Sequence, residues 1–233
     1  MPKMSRRIRL QRPCKFVRSD KIQSSAVGWK SGNWSGYAQS GSAGAYNRVS
    51  AYWTVPFVLP SAQPVYSSAW IGIDGYKNGS LIQTGTGHDF ANGNASYYAW
   101  WEILPSAETV IPYPVHPGDR MHAVIANQGH GKWSISLRNL TRGWRFRTVQ
   151  TYKGPRTSAE WIVEAPQVGS TISSLARLTP VVFSCCRVNG RNPCLKLDQR
   201  GIMVQNNRVV SIPSRPNRAG DAFLVRARRS KQS

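Results

Sequence analysis

Acidic residues are the scarcest class of side chain in this sequence. The 233 residues contain ten Asp and Glu against thirty-one Lys and Arg, which gives a formal net charge of +21. This imbalance excludes an acidic, solvating chain and makes polyanion binding an early hypothesis. It also means that any pair of carboxylates in an apolar segment needs an explanation.

Long apolar runs are absent as well. No run approaches the roughly 20 residues that a membrane-spanning helix needs. The first sixteen residues, MPKMSRRIRLQRPCKF, are basic but lack the apolar stretch of a signal peptide. We therefore expect no membrane span, and no signal peptide is visible in this chain.

The sequence has only four cysteines, and their spacing does not match the common zinc sites. They are Cys14, Cys185, Cys186 and Cys194. We expect a local disulfide between Cys194 and either Cys185 or Cys186, with free thiols as the alternative. Neither a G-x-S-x-G motif nor a glycine-rich phosphate loop is present, and the four histidines show no ordered triad pattern. We accordingly expect no metal and no cofactor.

The positive charge is concentrated at the two ends of the chain. Residues 1–30 carry nine Lys and Arg, and residues 187–233 carry eleven. One interpretation is a surface that binds nucleic acid or an anionic membrane. The other is a pair of solvated basic ends on a globular body, which the absence of a recognised nucleic-acid-binding module favours. We expect no obligate nucleic-acid or membrane partner, and polyanion binding by the ends stays an alternative.

Apolar and polar residues alternate in many short segments, as they do in β-strands. Clear examples are RVSAYWTVP (48–56), KWSISLRNL (132–140) and WRFRTVQTY (144–152). Turns rich in Gly, Asn and Pro separate them, and no segment is convincingly helical. The pattern predicts an all-β sandwich or barrel. It divides the chain into a basic N-terminal extension or leader remnant (1–27), one β domain (28–226) and a basic tail (227–233).

Two of the ten carboxylates lie in the segment AEWIVE, residues 159–164. On a strand, Glu160, Ile162 and Glu164 share one face, and Trp161 and Val163 share the other. The second set is typical of a core. The two glutamates lie about 13 Å apart at ~3.3 Å per residue, too far to share a proton. Glu164 therefore needs a partner on another strand.

Three further segments place polar residues on one strand face, and in two of them aromatic residues share that face. They contain Trp70 and Asp74 in AWIGIDG, Gln83 in LIQTG, and Tyr98, Trp100 and Glu102 in YAWWE. Such faces indicate the floor of a cleft for an extended ligand. The alternative is a solvent-facing sheet with incidental polar residues, which the number of aromatic side chains disfavours.

Six segments, taken in order, resemble the glutamic endopeptidases, also called eqolisins. They are NWSGYA (33–38), AWIGIDG (69–75), LIQTG (81–85), YAWWE (98–102), NLT (139–141) and AEWIVE (159–164). The resemblance covers residues 31–226 and implies a lectin-like sandwich of two antiparallel sheets, with the substrate cleft on the concave sheet. It implies acid proteolysis by a Gln/Glu dyad that needs neither a metal nor a covalent intermediate.

The resemblance also assigns roles to individual residues. It places the dyad on Gln83 and Glu164, and it implies that the cleft is lined by Trp34, Trp70, Asp74, Tyr98 and Glu102. Tyr98 stands where many members carry an Asp. Protein or peptide substrates, secretion and a monomeric state are further implications. The high positive charge and the lack of a visible signal peptide depart from the family pattern.

Two other functions stay open at the level of sequence. One is a catalytically silent sandwich that binds extended peptide or glycan in its aromatic cleft, and the other is a polyanion-binding protein that acts through its basic ends. The pair Gln83 and Glu164 favours the peptidase. Because residues 1–27 contain none of the six segments, we expect them to be dispensable for catalysis.

Overall fold

The computed structural model describes residues 9–17 and 27–228, and this part of the chain is built almost entirely of β-strands. Its one helical element is a short 3-10 turn, and no helix among these residues is long and apolar enough to cross a membrane. The strands are β1 (Arg9–Leu10), β2 (Trp29–Ser31), β3 (Trp34–Ser40), β4 (Arg48–Thr54), β5 (Ser68–Ile73), β6 (Ile82–Ala91), β7 (Asn94–Ile103), β8 (Thr109–Ile111), β9 (Arg120–Gly129), β10 (Lys132–Asn139), β11 (Trp144–Thr151), β12 (Ser158–Glu164), β13 (Gln167–Val168), β14 (Thr171–Ile172), β15 (Val181–Val188), β16 (Arg200–Gln205), β17 (Arg208–Pro213) and β18 (Phe223–Ala227), with the 3-10 turn at Leu197–Gln199.

Fifteen of the strands form one hydrogen-bonded path that folds back on itself. The order is β11-β10-β9-β4-β15-β18-β17-β16-β3-β12-β5-β6-β7-β8, and β2 adds to β16 in parallel. Strands β4, β9 and β10 form a back layer that faces β5 and β6 of a front layer, which also contains β3, β12 and β7. This arrangement confirms the predicted antiparallel β-sandwich. The three remaining strands, β1, β13 and β14, form a separate small sheet.

The space between the layers holds the main hydrophobic core. Trp53 and Met121 of the back layer pack there with Ile71, Trp161 and Val163 of the front layer. Fully burying each such side chain contributes on the order of 1.5–3 kcal/mol. The prediction that Trp161 and Val163 face the core is confirmed.

The outer face of the front layer carries a second buried cluster, which is rich in tryptophan. Its members include Trp34, Trp70, Trp100, Leu81 and Ile162. Because successive side chains on a strand point to opposite faces, Ile162 lies here while its two neighbours face the core. The face is not an open cleft floor, however, because every residue of β12 is buried.

Residues 9–17 cover part of this outer face. Strand β1 pairs with β13, and Phe16 forms a bridge with Ser31 at the far end. Sequence alternation predicted no strand in residues 1–27, so this short pairing was missed. The domain boundaries at residues 27/28 and 226/227 stay a prediction.

The expected disulfide between Cys194 and Cys185 or Cys186 is wrong, since all four cysteines are free thiols. The two adjacent cysteines lie where the register of β15 shifts, between Ser184 and Arg187. Cys186 is buried in the core, while Cys185 and Cys194 are exposed.

Candidate active site

Strand register brings four residues of the front layer into one row. Across β12, β5, β6 and β7 these are Glu160, Gly72, Gln83 and Glu102. Glu164 pairs instead with Ser68, four positions along β5 from this row. The backbone register alone would therefore associate Gln83 with the first glutamate of AEWIVE, and the assignment of the dyad to Glu164 stays a prediction.

Gln83 is held by Glu102. Its Nε2 donates a hydrogen bond to Glu102 Oε2 at 2.6 Å, and both side chains are fully buried. Burial, followed by the charge of Glu164, raises the pKa of Glu102 to about 9, although the bond from Gln83 opposes the shift. Glu102 is therefore protonated at acidic and neutral pH. Within residues 9–17 and 27–228, the second oxygens of both side chains, Gln83 Oε1 and Glu102 Oε1, have no hydrogen-bond partner.

Glu164 is surrounded by N–H donors. Trp70 Nε1 donates to its Oε2 at 2.9 Å. The backbone N–H of Arg12 and the side-chain amide of Asn33 donate to its Oε1, at 3.0 and 3.3 Å. Hydrogen bonds of this kind are stronger to an ionised carboxylate than to a neutral acid. The surroundings of Glu164 therefore suit an ionised carboxylate.

Tight packing fixes the indole of Trp70. It meets Trp34 edge to face, with ring centroids 4.9 Å apart and planes at 77°. On the neighbouring strand lies Gly85, where an added Cβ would approach Trp70 Cβ to 2.5 Å. Only glycine leaves room for the indole at that position, so the donor to Glu164 has a defined place.

Asp74 is held in a network of its own. Its carboxylate accepts hydrogen bonds from the Tyr152 hydroxyl at 2.6 Å and from the backbone N–H groups of Arg156 and Thr157, both at 2.8 Å. Asn78 adds a further donor at 3.0 Å. These hydrogen bonds account for the burial of the Asp74 carboxylate without any ligand. The role of Asp74 in substrate binding stays a prediction.

Glu160 belongs electrostatically with Asp74. Burial and then the charge of Asp74 raise the pKa of Glu160 well above its ordinary value. Neither of its carboxyl oxygens accepts a hydrogen bond from the described part of the chain. The pKa of Glu102, by contrast, is raised by the charge of Glu164. The two glutamates of AEWIVE thus serve different clusters, although Glu160 shares a backbone row with Gln83.

The remaining predicted residue, Tyr98, is half-buried and packs at the edge of the tryptophan cluster. Sequence reasoning missed Asn33 as a contact of Glu164, although it lies in NWSGYA beside Trp34. It also missed Arg12, for which nothing in the sequence pattern gave a signal. Among the residues that the structure describes, no group of three or more His, Cys, Asp or Glu is placed to hold a metal ion.

Comparison with known proteins gives the family of the chain. A model of the Peptidase A4 family matches residues 32–214. The chain is 27% identical to aspergillopepsin-2 of Aspergillus niger over 181 residues, which are 66% of this chain and 63% of that protein. The match thus spans less than two thirds of that relative.

Solved structures give the same result. A scytalido-glutamic peptidase bound to a transition-state analogue inhibitor superposes with a TM-score of 0.72 at 25% identity, covering 84% of this chain and 98% of the other. Aspergilloglutamic peptidase from Aspergillus niger gives a TM-score of 0.58 at 23% identity, covering 70% of this chain and 99% of the other. The second likeness shows the fold alone. Because the family model matches well over half of the chain, this protein belongs to the peptidase A4 family.

Proposed function

We propose that this protein is an endopeptidase that hydrolyses peptide bonds of protein or peptide substrates, with Gln83 and Glu164 as its catalytic dyad. The observation that carries the proposal is the buried carboxylate of Glu164. It is held by N–H donors on the same sheet face as the Gln83–Glu102 pair. Family membership supports the activity independently.

The proposed reaction uses a water molecule and two side chains. Ionised Glu164 takes a proton from the water, whose oxygen attacks the scissile carbonyl carbon. The carbonyl oxygen becomes an oxyanion, which accepts a hydrogen bond from Gln83 Nε2. Protonated Glu164 then gives its proton to the leaving nitrogen as the C–N bond breaks, which regenerates the carboxylate.

Glu102 and Trp70 are positioning residues in this scheme. Glu102 holds the amide of Gln83 at 2.6 Å, and as a neutral acid it can also donate its own O–H. Because Glu102 is neutral, it adds no second negative charge near the developing oxyanion. Trp70 fixes one oxygen of Glu164, Oε2, by a hydrogen bond of 2.9 Å, and in this scheme Oε1 takes the proton.

A digest of casein by the full chain between pH 2 and pH 7, read by mass spectrometry, tests the proposal. We expect internal cleavage in acid. Gln83→Ala should lower kcat roughly 10²–10³-fold, as the loss of an oxyanion donor does in other hydrolases. Peptide binding without cleavage at any pH would contradict the proposal and favour a catalytically silent sandwich. Secretion and a monomeric state stay predictions, and gel filtration tests the latter.

A further inference from the structure

The outer face of the back layer carries a group of cationic side chains. It is formed by the neighbouring strands β4, β9, β10 and β11, in which every second residue points away from the core. The exposed cations of this face, called the basic face below, are Arg48, Arg120, Lys132, Arg138, Arg145 and Arg147. None of the four strands contains an Asp or a Glu. The basic face therefore carries positive charge that its own strands do not balance.

The carboxylates next to these strands are already paired with other cations. Asp119, which precedes β9, accepts a hydrogen bond from Arg142 Nε at 2.7 Å. Asp221 accepts one from Arg187 at 2.7 Å. Within residues 9–17 and 27–228, none of the six cations of the basic face has an ion-pair partner. The described part of the chain thus supplies no counter-charge for them.

Strand register places like charges side by side on this face. Arg138 on β10 lies directly opposite Arg145 on β11, an arrangement that costs stability in an antiparallel pair. Arg147 follows on the same face of β11, roughly 7 Å further along the strand. His122 lies opposite Arg138 on β9, and its pKa is lowered by burial and then by the charges of Arg138 and Arg48. The positive field therefore extends over the centre of the face.

Apolar side chains stay exposed among these cations. Val149 lies two residues after Arg147 on the same face of β11 and is 49% exposed. Leu140 lies in the turn after β10 and is 38% exposed, and its backbone N–H donates to the carbonyl of Arg120 at 2.8 Å. The face thus combines unpaired cations with apolar groups that the fold leaves in contact with solvent.

The aromatic rings of the face are engaged with each other. Tyr52 and His122 stack with their centroids 4.2 Å apart, and the guanidinium of Arg120 lies over the ring of Tyr52 at 5.2 Å. Single-stranded nucleic acids are bound by aromatic rings on which successive bases can stack. Rings that are already stacked and covered do not offer such a platform.

We propose that the basic face docks reversibly on an anionic membrane surface, where its cations meet lipid phosphates and Val149 and Leu140 enter the headgroup region. The cations are spread over four neighbouring strands rather than along one line, and exposed apolar side chains accompany them, as on surfaces that bind anionic lipid. The inference does not depend on the proposed activity. Because the candidate active site lies on the outer face of the other layer, docking leaves that site turned away from the membrane.

Sedimentation of the full chain with lipid vesicles tests the proposal. We expect binding to phosphatidylcholine vesicles that contain phosphatidylglycerol and none to phosphatidylcholine alone. Binding should weaken as NaCl is raised from about 0.1 M to about 1 M, because the Debye length falls from roughly 10 to 3 Å. Arg138→Gln/Arg145→Gln/Arg147→Gln should bind roughly 100-fold more weakly, since each cation near an anionic surface contributes roughly fivefold.

A second triple variant is the matched control. Arg177→Gln/Arg208→Gln/Arg218→Gln removes the same charge from exposed positions outside the four strands. It should bind within about threefold of wild type, because charges more than a Debye length from the membrane are largely screened. The basic ends of the chain are the same in both variants, and circular dichroism confirms the fold. Equal losses in the two variants would show an effect of net charge and overturn the proposal.

A third variant separates a lipid surface from a soluble polyanion. Leu140→Ser/Val149→Ser keeps every charge, and it should weaken vesicle binding roughly tenfold while binding of heparin or a single-stranded oligonucleotide stays unchanged. Three results overturn the proposal: no binding to phosphatidylglycerol vesicles at low salt, equal binding to vesicles without phosphatidylglycerol, or a loss in the first triple variant that affects heparin or oligonucleotide but not vesicles.

Discussion

Replacing Glu102 with glutamine is expected to flatten the dependence of folding stability on pH. Burial raises the pKa of this carboxyl from 4.5 to about 9, so the folded protein keeps it protonated where an unfolded chain does not. Glutamine has the shape of the protonated acid but cannot ionise. The variant therefore keeps the partner of Gln83 and loses the titration.

The size of the effect follows from proton linkage. Below pH 4.5 the acid is protonated in both states, so its contribution to stability does not change with pH. Between pH 4.5 and about 9 the folded state binds one more proton than the unfolded state. The free energy of unfolding then falls by about 1.4 kcal/mol for each pH unit gained, so about 3 kcal/mol is lost by pH 7. The loss is complete above pH 9.

Urea unfolding, followed by tryptophan fluorescence at pH 5, 6, 7 and 8, measures this difference. The wild-type curve should fall more steeply with pH than that of Glu102→Gln. Asp198→Asn removes an exposed carboxylate from the 3-10 turn and serves as the control that should not flatten the curve. Parallel curves for wild type and Glu102→Gln would show that Glu102 is ionised in the fold, and the reasoning would fail.

Three other outcomes are expected. Tyr152→Phe removes the 2.6 Å hydrogen bond to Asp74 and should lower the free energy of unfolding by about 1–3 kcal/mol. Its kcat should stay within roughly twofold of the wild-type value, and a large loss of kcat would place Asp74 in the reaction. Trp70→Phe keeps the packing on Trp34 but loses the N–H that donates to Glu164. We therefore expect kcat to fall roughly tenfold with KM unchanged. A change in KM alone would argue for a substrate contact. The pH profile of kcat should peak in acid, because the leaving amine takes up a proton, and an optimum at pH 7 or above would contradict this.

Local patterns in the sequence were enough to predict most of the sheet structure. The alternation in AEWIVE correctly separates Ile162 from the core residues Trp161 and Val163. The period of two is a property of each strand by itself, so it can be recognised without knowing the partners. The sandwich follows because many such strands must bury one face each.

Long-range pairing could not be predicted in the same way. The bond from Arg12 to Glu164 joins residues 152 positions apart, and it is made by a backbone N–H that every residue except proline carries. The identity of residue 12 therefore gives no indication of this contact. The disulfide expected at Cys194 was also wrong, since the spacing of the cysteines does not show that Cys186 is buried in the core while Cys185 and Cys194 are exposed.

The alignment of Gln83 with Glu160 also appears only in the structure. Register alone would favour Glu160 as the partner of Gln83, whereas electrostatic coupling associates Glu164 with Glu102 and Glu160 with Asp74. The family resemblance placed the dyad on Glu164, a choice that strand periodicity could not make.

The most direct test of the account is a comparison of Glu164→Gln with Glu160→Gln. Both residues are fully buried on the same face of β12, and the substitution is chemically identical. Turnover of one neutral peptide is measured for both variants and for the wild-type chain, with circular dichroism to confirm the fold. Glu164→Gln should lower kcat roughly 10²–10⁴-fold, the usual worth of a general acid–base group, while Glu160→Gln stays within a few-fold of its parent. Near-parental turnover by Glu164→Gln, or an equal loss in Glu160→Gln, would contradict the assignment of Glu164 as the catalytic base.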